Sequence, residues 1–201
     1  MKKALLTALA LLTAPPALAG PLSDLLMAPG LFAAAPEGPV MSYAHVREAP
    51  PPTGDLAEGR LVVAVVPSQQ GPMLDLSREV GGERLPVAQF AASGPNPVLI
   101  YFLESTARAM AEITGGSPFY IRNRIREAMA GASLGSAATP ELATLHPFVQ
   151  DPNRGRMGAF GDLAIALRFD PARPERILEL SADTPAGEGG YHDRLVLVVE
   201  D

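Results

Sequence analysis

Residues 96–131 read NPVLIYFLESTARAMAEITGGSPFYIRNRIREAMAG, and the punctuation of that stretch decides the fold class. Asn96 is a good helix N-cap. Pro97 suits the first helical position, because its fixed φ fits a helix and its missing N–H is one the first turn leaves unused. Gly115 and Gly116 stop the helix about five turns later. On a 3.6-residue wheel Leu99, Phe102, Leu103, Thr106, Met110 and Ile113 form one stripe, with Tyr101, Glu104, Arg108 and Glu112 opposite. Glu104 and Arg108 are spaced for an i,i+4 pair. A second helix starts at once, with Ser117 as N-cap and Pro118 behind it, and runs to about Met129. Its stripe, Ile121, Ile125, Ala128 and Met129, is narrow. Two consecutive helices with one apolar face each need an apolar partner, most simply a sheet.

On both sides the period changes from 3.6 to 2. Residues 61–66 are a β-branched run bounded by Gly59 and Pro67, the pattern of a well-buried strand. Residues 73–80 are more amphipathic, and Gly81-Gly82 makes a two-residue hairpin turn into residues 83–87. After the helices, residues 131–161 lose periodicity and read as a long loop with a turn-rich Asp151-Pro152-Asn153-Arg154-Gly155 segment. Residues 163–169, 177–182 and 191–200 read as a three-stranded meander. The expected fold is α+β: a twisted antiparallel sheet with the two consecutive helices packed on one face, preceded by a Pro-rich arm.

That arm is residues 20–59, with seven prolines, three of them at Pro50 to Pro52, and little apolar period. An island at residues 41–48 is expected to add an edge strand, with Tyr43, His45 and Arg47 on one face and Ala44 and Val46 on the other. Residues 1–19 read as a cleavable signal peptide. Lys2 and Lys3 precede an apolar run at residues 4–12, and Ala17-Leu18-Ala19 places small residues for cleavage before Gly20. The apolar run is well short of the roughly 20 residues a transmembrane helix needs. The division expected is therefore a signal peptide at 1–19, an arm at 20–59 and one α+β domain at 60–201. Periplasmic or secreted localisation follows.

Composition bounds the function. The chain has no cysteine, so in an oxidising compartment it must be stabilised by its core, and a lipid-anchored form is excluded. Both lysines lie in the signal, and the remaining fourteen arginines against 22 acidic residues leave a net charge of −8 after cleavage. A nucleic-acid binder needs the opposite balance.

Motifs for chemistry are sparse. Gly131-Ala132-Ser133-Leu134-Gly135 matches G-x-S-x-G, and Asp183 and His192 follow in hydrolase order, but a helix and not a strand precedes the serine. His45, His146 and His192 are scattered, and the Asp151-x-Asn153-x-Gly155 string lacks the rest of a calcium loop, so no metal and no cofactor is expected. The unusual segment is TGGSPFYIRNRIRE at residues 114–127, with three arginines and two aromatics in an acidic protein. Tyr120, Arg122 and Arg126 are the candidate ligand-binding residues: guanidinium forks beside an apolar stripe suit an anionic head group and its tail. The alternative is that these arginines bridge the helix to the acidic surface of its own sheet. In coarse architecture the second half of the chain is similar to periplasmic carriers of lipoproteins, in which a curved antiparallel sheet wraps helices around an apolar cavity. It carries no motif specific to them. The function expected is that of an exported, non-enzymatic cell-envelope protein binding a hydrophobic or amphipathic ligand, such as a lipid, between sheet and helices. The alternatives are an interaction module that docks an envelope protein through the arm or the Arg-rich helix, and, behind both, a small serine hydrolase.

Overall fold

The structure, a computed structural model, describes residues 22–133, 141–185, 187 and 190–198; the expected signal peptide and its cleavage site lie outside these. In chain order it has helix α1 (Leu22–Leu26) and strands β1 (Gly38–Glu48), β2 (Leu56–Val66), β3 (Met73–Val80) and β4 (Glu83–Ala91). Helices α2 (Pro97–Thr114) and α3 (Pro118–Gly131) follow, then strands β5 (Glu141–Leu145), β6 (Ala164–Phe169), β7 (Ile177–Asp183) and β8 (His192–Leu197). The strands form one open antiparallel sheet in the order β4-β3-β2-β1-β8-β7-β6-β5. Two four-stranded meanders therefore meet at β1 and β8, and the two main helices, which connect them in sequence, pack on one face.

Local signals set the elements as expected. Asn96 Oδ1 accepts from the backbone N–H groups of Val98 and Leu99, and Gly115 ends α2 at φ 68°. Ser117 caps α3 by accepting from Tyr120 N–H. Gly81 and Gly82 take φ 59° and 87° in the β3–β4 hairpin, the left-handed pair that a two-residue turn requires. The buried face of α2 holds Leu99, Phe102, Thr106 and Met110 from the expected stripe and is widened by Val98, Ala107 and Ala109. Phe102 is fully buried in the core, and burial of a side chain of that size is worth about 1.5–3 kcal/mol.

Three expectations are corrected. The island at 41–48 is not an edge strand: β1 pairs with β2 on one side and β8 on the other, in the middle of the sheet. Pro36 and the prolines at 50–52 flank this strand and Pro39 is its second residue, so none interrupts its paired centre, and its second partner lies some 150 residues away, beyond any local signal. The alternation expected there does hold, since Tyr43 and His45 are fully buried while Val46 is 42% exposed. Second, β2 begins at Leu56, so Gly59 sits inside a strand and not at its boundary. A Cβ on Gly59 would lie 2.6 Å from the carbonyl oxygen of Glu79, a close approach to β3 that only glycine permits. Third, the long loop contains the five-residue edge strand β5 and two short 3₁₀ turns at Arg154–Arg156 and Gly158–Asp162. Strand β5 is too short, and with Leu142 65% exposed too half-hearted in its alternation, to announce itself.

Candidate functional site

Arg122 and Arg126 stand one turn apart on α3, beside a cavity of ≈ 300 Å³ bounded by α1, α2 and α3. Its apolar wall comes from Met27, Leu103, Ile125 and Met129. Ile125 and Met129 are successive turns of the α3 stripe, so one helical period presents both to the same space. Helix α1 closes the third side, tied to the end of α3 by the Leu22 N–H, which donates to the Ala132 carbonyl at 2.9 Å.

The rim is charged. Arg122 Nε and Nη2 donate to Glu104 Oε2 and Oε1 at 2.6 and 2.7 Å, and Arg108 Nε donates to Glu104 Oε1 at 2.8 Å. The hydrogen bonds from Arg122, more than the opposing effect of burial, hold the Glu104 carboxyl below its ordinary pKa. Among the described residues the Arg126 side chain has no ion pair or hydrogen bond. At the mouth of this apolar cavity two guanidiniums, Arg122 and Arg126, stand against the one carboxylate of Glu104, which leaves one positive charge in a chain of formal net charge −6.

Tyr120, the third candidate, is placed elsewhere. Its hydroxyl donates to Asp151, 2.9 Å from Oδ1 and 2.8 Å from Oδ2, and accepts from Asn153 Nδ2 at 3.1 Å. Arg124 Nε lies 2.9 Å from Asp151 Oδ2, and Asn153 N–H donates to Oδ1 at 2.7 Å. Asp151 therefore clamps the loop after β5 onto α3, and its oxygens are spoken for by Tyr120, Arg124 and Asn153. Two of the three helix arginines are thus paired, to α2 and to this loop rather than to a strand. The cavity is lined by helices; its wall takes nothing from the sheet.

His192 Nδ1 lies 3.0 Å from Asp183 Oδ1, the two being cross-strand partners on β8 and β7. Ser133 is exposed, follows α3, and makes no hydrogen bond to either among the described residues; Gly135 lies outside them. Among the described residues no group of three or more His, Cys, Asp or Glu is placed to hold a metal ion. None of their helices is long and apolar enough to cross a membrane.

A second polar cluster, which sequence reasoning did not assemble, lies under the helices where the meanders join. Asp193 is fully buried and accepts from His45 Nε2 at 2.8 Å, Arg47 Nε at 2.9 Å and the Tyr191 hydroxyl at 3.0 Å. Burial pushes the Asp193 carboxyl up, but the hydrogen bond from His45 and the Arg47 charge outweigh it and leave the group below its ordinary value. An ionised carboxylate only accepts, so His45 carries a proton on Nε2, and its buried Nδ1 has no partner. Burial raises the Tyr191 hydroxyl, which stays protonated and donating. The one visible trace of this cluster in sequence is the shared face of Tyr43, His45 and Arg47. Its completion at Asp193 depends on the β1–β8 register, in which Arg47 is opposite Asp193.

No family model, curated protein or solved structure matches this chain.

Proposed function

We propose that this is an exported, non-enzymatic cell-envelope protein that binds an anionic amphiphile, with the tail in the cavity among α1, α2 and α3 and the head group at Arg126 and Arg122. The observation that carries this reading is the excess of positive charge around the mouth of an apolar cavity in an acidic protein. A guanidinium held beside an apolar wall satisfies both ends of such a ligand. At about 30 Å³ per water-sized group, ≈ 300 Å³ is room for a single chain of roughly ten carbons.

The first experiment is native mass spectrometry of the protein purified from the periplasm without detergent, followed by titration with dodecanoate. A co-purifying mass of single-chain size, and severalfold weaker dodecanoate binding by the folded Arg122→Ala, Arg126→Ala double variant, are expected. Affinity unchanged in that variant would overturn the reading. A second reading, an interaction module docking an envelope protein through the Arg-rich helix, is favoured by Phe119, 69% exposed on the first turn of α3. A bare polypeptide mass, together with a crosslinked partner lost in Phe119→Ser, would support it.

A further inference from the structure

Helix α2 borders a second cleft, of ≈ 520 Å³, on the side facing β4. Val87 and Phe90 of β4 and Ala109 of α2 supply apolar walls, and Arg47 reaches the cleft from β1. The two cavities touch at Ile100 and Glu104 but differ in chemistry.

Arg47 is aimed and fixed before any ligand arrives. Its Nε and Nη2 are 2.9 Å from Asp193 Oδ2, and Nη2 also donates to Ser105 Oγ, while Asp193 is itself held by His45 and Tyr191. These bonds leave Nη1 without a partner among the described residues. The side chain is 11% exposed, and the surface it keeps lines this cleft. Tyr101 and Ser105, one turn apart on α2, line the same space beside the Arg47 guanidinium. Ser105 Oγ accepts from Arg47 Nη2 and keeps its own proton to donate, and the Tyr101 hydroxyl brings a second donor. An apolar-walled cleft thus presents converging donors, on a framework that loses little freedom when a ligand binds.

The surrounding charge selects the acceptor. Asp193 cancels the charge on Arg47, and Glu104 and Glu112 are matched by Arg108 and by Arg122, which pairs with Glu104, so no charge is left in surplus. Both rim carboxylates are already engaged, Glu104 by Arg108 and Arg122, Glu112 by the Thr53 hydroxyl at 2.9 Å. A carboxylate or phosphate would give up its water with no unmatched cation to replace it; a neutral carbonyl has far less to lose. We infer that this cleft binds an uncharged amide or ester with an apolar body, its carbonyl oxygen taken by Arg47 Nη1 and by the Tyr101–Ser105 hydroxyl pair. This site is independent of the anionic amphiphile proposed above.

The test is NMR titration of the purified protein with N-hexylacetamide, hexanoate and hexylammonium, three probes of similar length and different charge. The amide is expected to bind most tightly and to shift the Arg47 Nε–H resonance. Tyr101→Phe with Ser105→Ala should weaken it roughly tenfold, the worth of a lost hydrogen bond. Arg47→Ala would leave the buried Asp193 without its cation and is open to misfolding, so Ala88→Leu serves as the second variant. Ala88 lines the cleft on β4 away from the polar cluster, and a leucine there should exclude the amide while the fold persists. Tighter binding of hexanoate than of the amide, or amide shifts confined to the Met27 and Met129 methyls, would overturn the proposal. So would binding unaltered by Ala88→Leu.

Discussion

Two arginine–carboxylate pairs in this protein share a chemistry and differ in setting. Arg122 grips Glu104 through two bonds of 2.6 and 2.7 Å on the helical surface, where the side chains are 35% and 28% exposed. Arg47 meets Asp193 at 2.9 Å beneath the helices, with Asp193 fully buried. The shorter pair is the weaker commitment. Water can replace either partner of the surface pair at little cost, whereas the fully buried Asp193 has no water to fall back on. Burial, more than distance, separates an ion pair that the fold depends on from one that a ligand can displace.

The largest expected effect comes from breaking the buried pair. Asp193→Ala leaves the Arg47 guanidinium and the Tyr191 hydroxyl without their acceptor and should lower the unfolding free energy by about 3–5 kcal/mol in urea denaturation. A loss below about 1 kcal/mol would place Asp193 in the same class as Glu104.

Acid should reveal the same difference more gently. The folded Asp193 carboxyl lies below its ordinary value. Its contribution is therefore complete above the unfolded carboxylate value of about 3.9, and is lost as pH falls through the lower folded value. Thermal unfolding between pH 5 and pH 2 should show this acid loss. Asp193→Asn should start less stable and lose less over that window, and an equal loss in both proteins would assign the acid limb to other groups.

The smallest effect on the fold, and an informative one for binding, is expected from Glu104→Gln. It should leave the unfolding midpoint nearly unchanged and release Arg122, strengthening dodecanoate binding severalfold in calorimetry. Unchanged affinity would mean that Glu104 does not compete with the ligand for that guanidinium.

Legibility in sequence follows the range of the interaction. The caps at Asn96 and Ser117, the stop at Gly115 and the hairpin at Gly81-Gly82 involve groups within four residues of each other, and each is readable from the chain. The α2 stripe was readable too, although Tyr101, assigned to the outer face, packs edge-on to His45 at 6.1 Å. Arg122 and Arg126 were found because composition made them conspicuous. Tyr120 was grouped with them by adjacency, but residues two apart on a helix point in different directions, and its hydroxyl reaches Asp151 instead. The Glu104 partner of Arg122 is 18 residues away on another helix, so no local spacing exposed it.

By itself the sequence determined where α2 and α3 start and stop, the turn between β3 and β4, the two-helix insertion between two sets of strands, and an acidic composition without cysteine. Those are consequences of backbone preference, period and charge count, all local or additive. Only the tertiary structure decided that β1 lies in the centre of the sheet, and that Arg47 finds Asp193 across 146 positions of chain. Only there do α1, α2 and α3 enclose a cavity with the arginines at its mouth. The physical reason is that pairing register and helix packing are chosen by burial of the whole core at once. Sequence distance carries no record of which faces will meet.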